Sequence, residues 1–389
     1  MNNKIITFTT KGGDYNSWAL DQMLFYVKNS LQQKTNWKYV ESIQFADVVI
    51  FGWYTGFKEN KFLLKKTQVI ICLLENDTEK VYFDLFEKRQ NNGIDLWLTQ
   101  STKEKRVLNK KGFKAFVMPY SRGPNNLSKK EIGNKVDYLE PLRDFKSKSK
   151  KKLLLSIQRD SSFINKKWVP KEQKNPNYLV NLYKELLKQN IPIMLVITGV
   201  RRHWIINELD KYELPYIFIG QKPGLEDDYL KKIPRKTILE ITKECDFSIV
   251  TSSWEGGPLC IIESLEVKKL TFSTNVGFCK DLLHKDLILE GELSKDVQIL
   301  KKIINSDSKR DYLLDESIKK YEKFKTKDID FIVREIYLLV KVKSKSFQKH
   351  SLINKIFLFD KFLNFVEKFL RRLLCFLKRN LNFVKSLIT

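Results

Sequence analysis

The stretch TSSWEGGPLCIIES, residues 251–264, sets Glu255 and Glu263 eight positions apart, around Gly256-Gly257-Pro258 and a short apolar run. Two carboxylate acceptors beside free backbone amides suit a polyhydroxylated ligand, because each hydroxyl both donates and accepts. Gly256 and Gly257 let the backbone pass close to such a ligand. Pro258 suits the first position of a helix, where its missing N–H costs nothing. The amides at that helix start, with the positive end of its dipole, then point at the ligand. Glu255 precedes the helix, and Glu263 lies just over a turn into it. The plainer alternative makes Glu255 a dipole-favoured carboxylate and Glu263 a surface residue. Against it, Glu263 interrupts the apolar Cys260-Ile261-Ile262 and Leu265.

Positioning two such groups requires a rigid frame, and the chain supplies a repeating one. An apolar strand at Ile5 to Phe8 leads into the loop TTKGGDYN and the helical stretch SWALDQMLFYVKNSLQQ. Strand patterns follow at 46–53, 68–74, 95–99 and 114–120, with helical stretches such as EKVYFDLFEKRQ between several of them. A loop-rich and then lysine-rich segment, SRGPNN to FKSKSKKK, reads as a boundary. The alternation then restarts at 153–157, 193–199, 216–220, 246–252 and 270–274. Apolar strands alternating with amphipathic helices imply a parallel sheet covered on both faces. The expectation is α/β: two Rossmann-like domains facing a cleft, at 1–145 and 146–343, the second including closing helices from about 293. Ligands in such folds lie at the carboxyl ends of the strands.

Composition narrows the function classes. The 389 residues are 42% hydrophobic, which excludes a disordered chain. Lys and Arg number 71 against 46 Asp and Glu, a formal charge of +25 that favours anionic partners. Five cysteines without C-x-x-C pairing, mostly within apolar stretches, read as buried thiols of a reducing compartment. The N-terminus lacks a signal-peptide core and no apolar run approaches the ~20 residues of a membrane span, so a cytoplasmic location is expected. No metal-ligand spacing, D-x-D tripeptide or P-loop occurs, and no G-x-G-x-x-G follows the first strand, which counts against a nicotinamide-dependent enzyme.

The stretch from Thr251 to Leu283 resembles the donor-binding region of retaining glycosyltransferase family 4, which has the GT-B fold. The family pattern, roughly S-x-x-E-G-x-P-x-x-x-x-E followed by a strand and a V-G-G loop, is met at Ser252, Glu255, Gly256, Pro258, Glu263, Val276 and Gly277. The likeness weakens over 151–340 and is faint before it. It implies that Glu263 accepts from the ribose hydroxyls of a nucleotide-sugar. Glu255, with the amides of Gly256, Gly257, Pro258 and Leu259 as a group, would hold the transferred sugar. Gly199 and Gly277 are implied as further donor-contacting positions. An Arg and a Lys would bind the donor diphosphate, and SIQRDSSFINKKW offers Arg159 with Lys166 or Lys167. Fixed cations at that place stabilise the charge that the leaving diphosphate gains. Gly12 and Gly13 would line the first domain's side of the cleft, and Asp77 or Asn76 the acceptor site. The resemblance implies metal independence and no cofactor, the nucleotide-sugar being a substrate. Three departures stand: a glycine and a proline common after the second glutamate are replaced by Lys268 and Leu270, the V-G-G loop reads Val276-Gly277-Phe278, and the first-domain histidine of many relatives has no counterpart, since His203, His284 and His350 all lie beyond it.

From Leu352 onward apolar residues recur every three or four positions to Ile388, and residues 341–389 carry 12 Lys and Arg against 2 Asp and Glu. A basic amphipathic helix is expected over 344–389, lying through 346–389 on an anionic membrane, or else packing on protein. Nucleic acid is not an expected partner, since phosphate binding needs no such apolar face. The resulting expectation is a retaining glycosyltransferase acting on a glycan or lipid-linked acceptor in cell-surface polysaccharide or lipopolysaccharide synthesis, on the inner face of the membrane. The competing expectation is an inactive membrane-associated scaffold on the same fold.

Overall fold

The computed structural model describes residues 4–8, 24, 27–29, 31–33, 35–52, 54–74, 93–118, 137–220, 233–325 and 329–348. Gly12, Gly13, Asn76, Asp77 and the stretch 349–389 lie outside them. Two six-stranded sheets carry the fold. The first comprises β1 (Lys4–Phe8), β2 (Lys38–Tyr39), β3 (Val48–Phe51), β4 (Val69–Leu74), β5 (Leu96–Thr99) and β6 (Ala115–Val117), in the order β2-β1-β3-β4-β5-β6. Every pairing in it is parallel, as Val48 opposite Val69 illustrates. β3 and β4 are apolar and buried throughout, as strands covered on both faces must be.

The second sheet comprises β7 (Lys152–Ser156), β10 (Ile193–Thr198), β11 (Tyr216–Ile219), β12 (Phe247–Val250), β13 (Leu270–Thr274) and β14 (Ile288–Leu289), in the order β11-β10-β7-β12-β13-β14. It too is all parallel. The strand order reverses at β7, which has β10 on one side and β12 on the other, and a crevice opens at the carboxyl ends of such a pair. An antiparallel hairpin, β8 (Ser161–Ile164) and β9 (Lys167–Pro170), leaves the sheet just after β7. By sequence alone, this stretch stands out only for its cations. Its turn residues Asn165 and Lys166 both adopt left-handed backbone, at φ 49° and 61°, the conformation of a tight two-residue hairpin turn.

Both expected breaks fall inside helices. The helix Glu140–Lys148 spans the expected break at 145, and its Leu142 is buried with Leu153, Leu155, Val196 and Ile241 of the second domain. Its lysines face outward and gave the segment the look of a linker. The last helix, Ile329–Gln348, runs unbroken through the expected break at 343 and returns to the first domain. There Tyr337 stacks on Trp37 with centroids 5.7 Å apart, and Lys343 Nζ donates to Asp95 Oδ2 at 2.6 Å and to the Gln68 carbonyl at 2.7 Å. Among the described residues no helix is long and apolar enough to cross a membrane.

Candidate functional site

The carboxyl ends of β7, β10, β12 and β13 converge on one network. Ser252, two residues past β12, donates from Oγ to Glu255 Oε1 at 2.8 Å. Lys174 Nζ donates to the same oxygen. Gln158, two residues past β7, donates from Nε2 to Ser252 Oγ at 2.7 Å, so the hydroxyl's single proton is directed at Glu255. The Gln158 carbonyl in turn accepts from Arg202, whose other terminal nitrogen reaches Ser156 Oγ at 2.9 Å. Arg202 is fully buried and its Nε lies 3.0 Å from Asp160 Oδ2. Burial pushes the Asp160 carboxyl up to about 6, against the pull of the Arg202 charge, and burial likewise lowers the Arg202 guanidinium.

Lys174 reaches Glu255 because the chain between β9 and the helix Pro176–Lys188 is stitched to the β12 loop. The single helical turn Glu172–Lys174 offers the Gln173 carbonyl to Ser253 N–H at 2.8 Å and the Lys174 carbonyl to Thr251 Oγ1 at 3.2 Å. Four cations gather here. Lys171 is drawn down to about 8, first by burial and then by the positive charges of Lys174, Arg159 and Arg201, with Glu255 opposing. Lys166 and Lys167 do not join them: both are exposed at the hairpin turn. The hairpin is the reason. It carries the lysines next to Arg159 in sequence outward and returns Lys171 and Lys174 to the mouth of the crevice. A reading of sequence spacing that allowed for an excursion between Arg159 and the Asn175-Pro176 helix start would have found Lys174.

Glu263 sits in the helix Leu259–Glu266, 6% exposed, with Arg235 Nε 3.8 Å from its Oε1. It is no surface residue. Arg235 also holds Glu266 at 3.0 Å. Both carboxylates act on one place: after burial, the charges of Glu263 and Glu255 help push the Cys260 thiol up to about 12. Pro258 occupies the position just before the helix rather than its first turn, and Leu259 begins the helix, half-buried.

Two loops interlock beneath Glu255. A Cβ on Gly257 would lie 2.2 Å from the Phe278 ring and 2.3 Å from Gln100 Oε1. A Cβ on Gly277, where φ is +51°, would lie 2.5 Å from the Gly256 carbonyl oxygen. Only glycines permit this contact. Gly199, at φ +102°, turns the chain after β10 with its would-be Cβ 3.4 Å from the Ile157 carbonyl oxygen. Gln100 belongs to the first domain, so the cleft is bridged here. Beside it, Thr102 N–H and hydroxyl both donate to the Asp281 carboxylate of the second domain.

The arrangement comprises paired carboxylates, a glycine loop at a helix start and a cation cluster, all at the carboxyl end of a parallel sheet. It can hold an elongated ligand with hydroxyls at two points and an anionic group beside them. Residues 145–305 match the family described as Glycosyl transferases group 1. No curated protein matches the chain in sequence. Solved structures that share its fold include sucrose-phosphate synthase from Thermosynechococcus elongatus, at 10% identity and TM-score 0.60 over 88% of this chain and all of that one. Another is Anabaena HepE in complex with UDP and glucose, at 10% identity and TM-score 0.57 over 89% of this chain and all of that one. A mutant of S. aureus TarM, solved with fondaparinux, alpha-GlcNAc-glycerol and UDP, aligns at 13% identity and TM-score 0.52 over 82% of this chain. This chain spans 58% of that TarM chain. The chain thus has the GT-B fold, and its residues 145–305 are similar to the glycosyl transferases group 1.

Proposed function

We propose that this protein is a retaining, metal-independent glycosyltransferase that moves a hexosyl or related sugar from a nucleotide-sugar to a glycan or lipid-linked acceptor. The observation that carries the reading is the hold on Glu255. Its Oε1 takes hydrogen bonds from Ser252 and Lys174 beside the cluster of Lys171, Lys174, Arg159 and Arg201. In this reading Glu255 and the Gly256–Leu259 amides orient the transferred sugar, and Glu263 receives the ribose hydroxyls. Arg159 and Lys174 meet the diphosphate, with Lys171 and Arg201 reinforcing them; Lys166 and Lys167 stand outside this role.

The reaction then runs on one face of the sugar. The bond from the anomeric carbon to the donor phosphate oxygen breaks, and the departing oxygen gains negative charge that the cations stabilise. The acceptor hydroxyl bonds to the anomeric carbon from the side just vacated, and its proton passes to the leaving phosphate. Positioning and charge stabilisation, not a strong protein base, supply the rate. The tail at 346–389 would hold the enzyme to the cytoplasmic face of an anionic membrane, where cell-surface polysaccharide is assembled on lipid carriers.

A panel of sugar nucleotides tested for thermal stabilisation of the purified chain would identify the donor, because a ligand bound only by the folded state raises the melting temperature. Transfer with that donor, and a product of unchanged anomeric configuration, are the expected results. Stabilisation without any hydrolysis or transfer would instead favour the inactive scaffold. Glu263→Ala is expected to weaken donor binding; full affinity and turnover in that variant would remove Glu263 from the site.

A further inference from the structure

The hairpin formed by β8 and β9 has a tip that the donor chemistry leaves unused. Neighbouring residues of a strand project to opposite faces. Phe163 and Ile164 therefore point to two sides, yet each is 54% exposed. More than half of each side chain is thus open to solvent. The hairpin's base, in contrast, is anchored. Phe163 packs on its cross-strand partner Trp168 with centroids 5.0 Å apart, and Trp168 stacks flat on His203 at 3.6 Å. Lys166 and Lys167 are both exposed at the turn, and no acidic residue occurs from Ser161 to Lys171.

We propose that this tip is an interaction surface for an anionic lipid bilayer, with Phe163 and Ile164 entering the boundary between headgroups and acyl chains and Lys166 and Lys167 meeting lipid phosphates. Large apolar side chains interleaved with lysines on a narrow projection fit that boundary, which is apolar below and negatively charged above. Charge complementarity decides the occupant. A second copy of the tip would set lysines against lysines, and a neutral glycan would gain nothing from them. The hairpin leaves the second sheet beside Arg159 and Asp160 and returns at Lys171, so a bilayer touching its tip lies at the rim of the candidate site. This contact is separate from the 346–389 tail and does not depend on the glycosyltransferase reading.

Hydrogen–deuterium exchange of the full chain tests the proposal locally. It would be run with phosphatidylcholine vesicles and with phosphatidylcholine vesicles containing phosphatidylglycerol. The expected result is slowed exchange of the amides in 161–170 with the anionic vesicles only, diminishing as salt screens the lysines. In the double variant Phe163→Ser/Ile164→Ser the hairpin protection should fall by about tenfold or more, as expected from the lost apolar burial. Its melting temperature should fall only slightly, since more than half of each side chain is already exposed. Unchanged hairpin exchange in protein that nonetheless sediments with the vesicles would overturn the proposal. So would equal protection by phosphatidylcholine alone, by a soluble oligosaccharide, or by raising protein concentration without lipid. None of these outcomes touches nucleotide-sugar binding, which is read separately in the absence of vesicles.

Discussion

Glu255 accepts both of its hydrogen bonds on Oε1, from Ser252 and Lys174, which leaves Oε2 without a partner among the described residues and available to a ligand hydroxyl. Lys174 thus holds the carboxylate and, in the proposed reaction, also adds charge to the diphosphate side. Lys174→Met is expected to lower kcat/KM by about 100-fold, the loss of one fixed group that stabilises transition-state charge. Lys166→Met and Lys167→Met should stay within about twofold, because an exposed lysine at a distance is screened; steady-state kinetics on the three variants checks the contrast. Lys171 supplies a pH dependence. Its folded value of about 8 lies below the ordinary lysine range, so it loses its proton as pH rises through 8 and the cluster loses a charge. Diphosphate binding favours the protonated form, and affinity for the nucleoside diphosphate of the proposed donor should therefore fall above about pH 8. Calorimetric titrations across that range would show the fall, and Lys171→Arg should abolish it.

At the scale of elements, the site depends on loops that fit only as glycines. Gly257→Ala forces aside both Gln100 and Phe278, and Phe278 is fully buried. A cost of about 1–3 kcal/mol, as for other overpacked positions, together with weakened donor binding, should appear in thermal melts and titrations of that variant. The Arg202–Asp160 pair is the other local keystone. Removing one member of a buried pair leaves the other charge uncompensated, so Arg202→Met should cost about 3–5 kcal/mol. The partner variant Asp160→Asn/Arg202→Met should recover part of that loss in denaturant melts. Because Gln158 takes its bond from Arg202, the single variant should also loosen the Gln158–Ser252–Glu255 chain and raise KM for the donor.

At the scale of the whole molecule, the ties between the domains include two that single substitutions can probe. Asp281 accepts from the backbone N–H and hydroxyl of Thr102, and so caps, from across the cleft, the helix Thr102–Lys110 that Ser101 caps from its own domain. The returning helix Ile329–Gln348 packs Ile332 and Ile336 into the core and ties Lys343 to Asp95. Loss of a helix cap costs about 1 kcal/mol, so Asp281→Ala should lower the melting temperature only slightly. The larger expected effect is a more open average arrangement, read as an increased radius of gyration in small-angle scattering and a raised KM.

The amino-acid sequence by itself determined the two parallel sheets, because buried parallel strands must be apolar runs and the helices between them must be amphipathic. It also marked the E-G-G-P loop and Glu263, since two acidic groups beside an apolar helix have no ordinary place in a core. It did not determine which lysine serves the crevice. Lys166 and Lys167 are adjacent to Arg159 along the chain, whereas Lys174 is adjacent in space, because a hairpin of two short strands and a left-handed turn intervenes. Nor did it reveal Gln100 against Gly257 or the return of the last helix, which join residues far apart in sequence. Local pattern records what each segment must bury; which segments then meet is decided by the tertiary packing of two domains about one cleft.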